Sequence, residues 1–110
     1  MLTYHLTSAE DWAGLAPGSA IRPPSLAGEG FIHCTTGADE MVATANRHYR
    51  EDPRAFIVLT VDLDRVPAPW RYDSPDTRYP HVYGELPRDA IVRARPIARA
   101  SDGSFLPFED

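Results

Sequence analysis

Eleven prolines are spread over these 110 residues, against seven glycines. Proline locks φ and removes an amide donor, so it stops helix interiors and inner strands. A chain punctuated this often is expected to fold as short elements joined by long irregular connections. One segment concentrates the punctuation: Arg22-Pro23-Pro24-Ser25-Leu26-Ala27-Gly28-Glu29-Gly30-Phe31-Ile32-His33-Cys34-Thr35-Thr36. It is too broken for a long helix, and it closes on a short apolar run that ends in polar side chains. That arrangement suits a ligand loop feeding a strand whose end carries chemistry.

The length is that of one domain, residues 1–110, and one core is feasible without disulfide staples. An apolar share of 43% and a charged share of 25% are ordinary for a soluble globular protein. No apolar run approaches the ~18 residues of a membrane span, and no basic segment followed by an apolar one opens the chain. The formal charge of -5 argues against nucleic-acid binding by bulk electrostatics, although a local basic pocket for one phosphate is compatible with it. Cys34 is the single cysteine, so no intramolecular disulfide can form, and a cytoplasmic location is expected.

Leu2, Tyr4 and Leu6 alternate with Thr3 and His5, which predicts a first strand with the three larger side chains toward the core and His5 on the opposite face. Thr7 or Ser8 caps a short helix to about Leu15, with Glu10 and Asp11 in its first turn. Residues 17–30 read as a loop, and Phe31 to Thr35 as a second strand. Thr36 opens the clearest helix. Asp39 is placed for a short capping box, Met41, Val42, Ala45 and Tyr49 form the inward stripe, and Glu51-Asp52-Pro53 stops it. Ala55 to Leu63 predicts a central strand buried on both faces. Trp70-Arg71-Tyr72 and His81-Val82-Tyr83 are short strands separated by a polar loop. Ala90 to Arg99 is an edge strand interrupted by Pro96, and residues 103–108 add a terminal strand or dock. The pattern is α+β, with helices early and strands late.

The four histidines, His5, His33, His48 and His81, lack the close pairing of zinc motifs, so no metal is predicted. His5 and His33 sit in strands beside the Gly/Pro-rich loop. A neutral imidazole there can bond a ribose hydroxyl or carry a proton. Alternatively, each is a half-buried histidine bonded to a backbone carbonyl. His33 and Cys34 are adjacent on a strand and so point to opposite faces, which makes Cys34 a buried filler rather than a nucleophile. Arg22 precedes two prolines and is therefore extended; its guanidinium suits a phosphate or carboxylate, or else an ion pair with Glu29 or another acid. His81 and Tyr83 share one face. Glu85 follows them, either as a group that stabilises a cationic transition state or as a solvated turn acid.

Together, Tyr4-His5, the block from Arg22 through Thr35, Ala45-Asn46-Arg47-His48-Tyr49, Pro80-His81-Val82-Tyr83-Gly84 and Leu86-Pro87 resemble one family over nearly the whole chain. It is the family of small proteins called domain of unknown function 952. The resemblance implies a fold similar to ADP-ribosyltransferases and RNA 2'-phosphotransferases, with mixed or antiparallel sheets and two helices in the N-terminal half. Those proteins use NAD, so NAD becomes a possible substrate here, with a small-molecule nucleotide as ligand and the protein partner unspecified. In them a first-strand histidine holds the adenosine ribose, the role His5 would take. The segment Gly30-Phe31-Ile32-His33 with Thr35-Thr36 resembles the part that frames nicotinamide, and Glu85 stands for the glutamate that fixes the nicotinamide ribose. The implied catalytic set is His5, His33 and Glu85, with Arg22, Ser25, Thr35, His81 and Tyr83 binding ligand. The implied reaction is transfer or cleavage at the ribose; a non-catalytic nucleotide-binding module or a protein-interaction domain is the alternative. His33 stands where the transferases commonly carry tyrosine or phenylalanine, and no arginine-histidine-leucine block follows His5.

Overall fold

The computed structural model describes residues 1–109. Strand β1, Leu2–Ser8, pairs antiparallel with β3, Phe56–Asp62, which pairs on its other side with β6, Ile91–Pro96. The second sheet places β5, Pro80–Val82, between β2, Ile32–His33, and β4, Trp70–Tyr72, again antiparallel. Helices α1, Ala9–Ala13, α2, Pro24–Glu29, and α3, Ala38–Tyr49, all lie in the first half of the chain. The class is therefore α+β, built on two antiparallel three-stranded sheets.

The apolar run of β3 makes it the central strand, as its composition implies, while Pro96 closes the edge strand β6. Each face of the β1-β3-β6 sheet carries its own core. In register, Thr3 opposes Val61 and His5 opposes Leu59, whereas Tyr4 opposes Thr60 and Leu6 opposes Val58. One face packs Leu59 and Val61 with Ile32, Cys34, Val82 and Leu86, joining the two sheets. The other packs Tyr4 and Val58 with Met41 and Ala45 of α3, and with Phe105 from the C-terminal segment. That segment docks firmly: the Phe105 amide donates to Asn46 Oδ1 at 2.7 Å, and Phe108 sets its ring edge-on to Tyr4. Both faces of β1 are thus covered. Tyr4 faces a core as expected, but His5 on the opposite face is buried as well and Leu2 is exposed.

Residues 24–29 are helical rather than loop. Pro24 occupies the first turn, where its missing amide hydrogen costs nothing and its fixed φ suits a helix. Gly30 ends α2 with φ at 86°, and its amide donates to the Leu26 carbonyl at 3.1 Å. Helix α3 starts one residue later than its sequence suggests. Gly37, at φ 95°, takes the N-cap and no side chain caps the helix. Thr36 is held elsewhere: its amide donates to the Arg78 carbonyl and its hydroxyl bonds that of Thr3 at 3.0 Å. Tyr4 and Thr35 exchange both backbone hydrogen bonds at 2.8 Å, stitching β1 to the end of β2. Among the described residues no helix is long and apolar enough to cross a membrane.

Candidate functional site

The stitch between β1 and β2 brings the two sheets, α2 and α3 around a cleft of about 710 Å³. That is ample for a medium-sized organic ligand. His5, Ser25, His33, Thr35 and His81 all line it, five of the eight residues singled out from the sequence. They are joined there by Thr44, Arg47 and His48 from α3.

His5 is only 6% exposed. Its Nδ1 lies 2.8 Å from the His33 carbonyl oxygen. A carbonyl can only accept, so Nδ1 carries the proton and Nε2 of the neutral ring is a pure acceptor. Burial pushes the His5 pKa down and favours that neutral form; the carbonyl bond opposes the shift less strongly. Nε2 is buried with no hydrogen-bond partner among the described residues, and so is the Thr44 hydroxyl. Both belong to cleft-lining residues. Buried polar atoms are ordinarily satisfied, so two of the residues that line the cleft carry an acceptor and a hydroxyl with unused bonding capacity. Arg47 lines the same cleft, is exposed, and forms no ion pair among the described residues. Arg54, also in the lining, is instead committed to Asp52.

The outer face of the small sheet carries two further imidazoles. His33 on β2, His81 on β5 and Arg71 on β4 stand directly opposite one another. His33 Nε2 donates to Glu29 Oε2 at 3.1 Å, tying β2 to the last turn of α2. His81 stacks flat on Phe31, with centroids 4.1 Å apart and planes 14° off parallel. Its Nδ1 donates to Asp73 Oδ2 at 2.7 Å. Tyr83 donates its hydroxyl to the same oxygen, and Arg71 Nε donates to Oδ1 at 2.6 Å. These bonds, from Tyr83 first, then Arg71 and His81, hold the Asp73 carboxyl well below the usual carboxylate range. The sequence marked His81 and Tyr83 as sharing a face, and they do. It did not mark Asp73, a loop acid whose only signal is its place two residues past a strand arginine.

Arg22 and Glu85 go elsewhere. They pair with each other, Nε to Oε2 at 3.5 Å, both largely exposed. The cause is register: Ile21 and Leu86 exchange backbone bonds, so the next antiparallel pair outward is Arg22 with Glu85. Arg22 borders a separate cleft of about 240 Å³ beside Trp12 and Leu15, and Glu85 lines neither cleft. Cys34 is buried in the core between the sheets, on the opposite face to His33, and burial pushes its thiol up to about 12. It is no nucleophile at neutral pH. No group of three or more metal-ligating side chains converges among the described residues.

An α+β domain with an imidazole-lined cleft at the junction of its sheets is thus defined. The chain belongs to the family described as Protein of unknown function (DUF952), whose model matches residues 6–94. Its fold is that of protein CC0527 from Caulobacter crescentus. The crystal structure of that protein is 19% identical and has a TM-score of 0.80, covering 96% of this chain and 94% of the other. A double mutant of it is 20% identical over the same shares, at a TM-score of 0.78. The solution structure is 24% identical, covers 93% and 89%, and reaches 0.70. No curated protein matches the chain.

Proposed function

We propose that the cleft binds NAD or an ADP-ribose-like nucleotide and that the protein transfers or cleaves at the ribose. One observation carries this reading: two residues that line the cleft have unused bonding capacity, the acceptor nitrogen of His5, its tautomer fixed by the His33 carbonyl, and the hydroxyl of Thr44. A vicinal diol offers the complementary donors, and ribose is such a diol. Arg47 supplies an uncommitted cation for a pyrophosphate, and the cleft-lining His33 ring supplies a flat face for a heterocycle. This reading carries with it the resemblance to ADP-ribosyltransferases drawn from the sequence.

The position of Glu85 favours a second reading. Paired with Arg22 outside the cleft lining, it supplies no carboxylate beneath a bound ribose. Glu29 is the glutamate that lines the cleft, and it is bonded to His33. If Glu29 does not take that role, the protein is a nucleotide-binding module without transferase activity. Incubation with NAD, following nicotinamide release beside a thermal-shift measurement, separates the two. Release that is abolished in His5→Ala supports the enzyme. A melting shift without release supports the binder, and no shift with NAD, ADP-ribose or AMP removes both.

A further inference from the structure

The small sheet contains a second device that the nucleotide reading does not use. His81 is gripped on one face by Phe31 and at one edge by Asp73. Asp73 is itself fixed by Arg71 and Tyr83, and the Arg71 guanidinium lies over the Tyr83 ring at 4.4 Å. A carboxylate can only accept, so Nδ1 of His81 carries a proton toward Asp73. Nε2 is left as the ring's remaining basic atom, with no partner among the described residues. The ring is about one-fifth exposed and lines the large cleft. A carboxylate that sets the tautomer and orientation of an imidazole, whose far nitrogen then moves a proton, is the arrangement general-base catalysis uses on unrelated folds.

We propose that His81 is the proton-accepting residue of the cleft and that Asp73 is its positioning residue. The step rests on the nucleotide reading above. A water molecule or an acceptor hydroxyl attacks the anomeric carbon of the bound ribose. Its O–H proton passes to His81 Nε2 as the new C–O bond forms. The C–N bond to nicotinamide breaks, and its electron pair returns to the ring, which leaves neutral. His81 then releases its proton to solvent. Asp73 keeps its charge throughout and stabilises the imidazolium. Tyr83 and Arg71 keep Asp73 ionised and aimed, which explains why three donors are spent on one exposed-loop carboxylate.

The test uses the intact protein and NAD, with four forms: wild type, His81→Ala, His81→Gln and Asp73→Asn. Thermal shift by NAD reads binding; nicotinamide release reads the proton step; two-dimensional 15N NMR of histidine side chains reads the tautomer. Retention of the binding shift is expected in all four. Release is expected to fall on the order of 10²-fold in each variant, through kcat rather than KM. Added imidazole is expected to restore release to His81→Ala, which a packing role would not allow. The NMR is expected to report Nδ1–H for His81 in wild type and loss of that tautomer in Asp73→Asn. Release within twofold of wild type in both His81 variants overturns the inference, as does the absence of imidazole rescue. A binding shift without release in wild type also overturns it, while leaving nucleotide binding intact. No shift with any nucleotide overturns the nucleotide reading and the inference with it.

Discussion

The two sheets solve the same problem by different means. The large sheet relies on length and apolar burial: β1 and β3 pair over seven residues, and Val58, Leu59 and Val61 are fully buried between two cores. The small sheet has strands of two and three residues, too short to be stable alone. Its inner face, with Ile32 and Val82, leans on the first core. Its outer face is held by side-chain chemistry: the His81–Asp73–Tyr83–Arg71 network, the Phe31 stack and the His33–Glu29 bond. Stability sits in the long ladder, and the short strands are free to carry imidazoles.

The largest effect is expected at Leu59. It is buried, central in β3 and opposite His5. Leu59→Ala is expected to cost about 2–5 kcal/mol, seen as a large drop in the urea midpoint; a loss under 1 kcal/mol would show that the ladder is not the stabilising half. A smaller effect is expected from His5, the imidazole that the large sheet contributes. Its folded-state pKa is lowered by burial. The unfolded chain therefore takes up a proton first as pH falls below about 6.5. Stability from this group is full above that pH and is lost progressively below it, toward the lowered folded value. His5→Asn keeps a donor for the His33 carbonyl and removes the titration. The variant is expected to show a flatter melting temperature between pH 7 and 5 than wild type, and an unchanged slope would contradict the assignment. The smallest effect is expected at Arg22. Its pair with Glu85 is exposed and spans 3.5 Å, so Arg22→Ala should change stability by less than about 0.5 kcal/mol. A larger loss would mean that this pair, rather than the Ile21–Leu86 bridge, ties the 22–30 segment down.

Much of this was legible in the sequence, for identifiable reasons. The uninterrupted run Phe56-Ile57-Val58-Leu59 announces a strand covered on both sides, and Pro96 announces an edge. Alternation in β1 was legible as a strand but not as to which face is buried, because a sheet sandwiched between a helix and a second sheet has no solvent face to mark. Helix α2 was hidden because a diproline reads as a break, although proline in a first turn starts a helix equally well. In the site, His5, Ser25, His33, Thr35 and His81 converge because they flank the β1–β2 stitch. Arg22 and Glu85 do not, because antiparallel register makes them partners of each other, and register over a sixty-residue separation leaves no local trace. Asp73, Thr44 and Arg47 were illegible for the same reason: each matters only through what the fold sets beside it.

The cleft where the sheets meet is the proposed nucleotide site. Its most direct test is a titration of 15N-labelled protein with ADP-ribose, followed residue by residue in amide NMR spectra. Saturable shifts are expected, confined to residues 4–8, 25–35, 44–48 and 79–83, with the His5 amide among the largest. Shifts centred on the Arg22–Glu85 side of the molecule, or none at millimolar ligand, would contradict it.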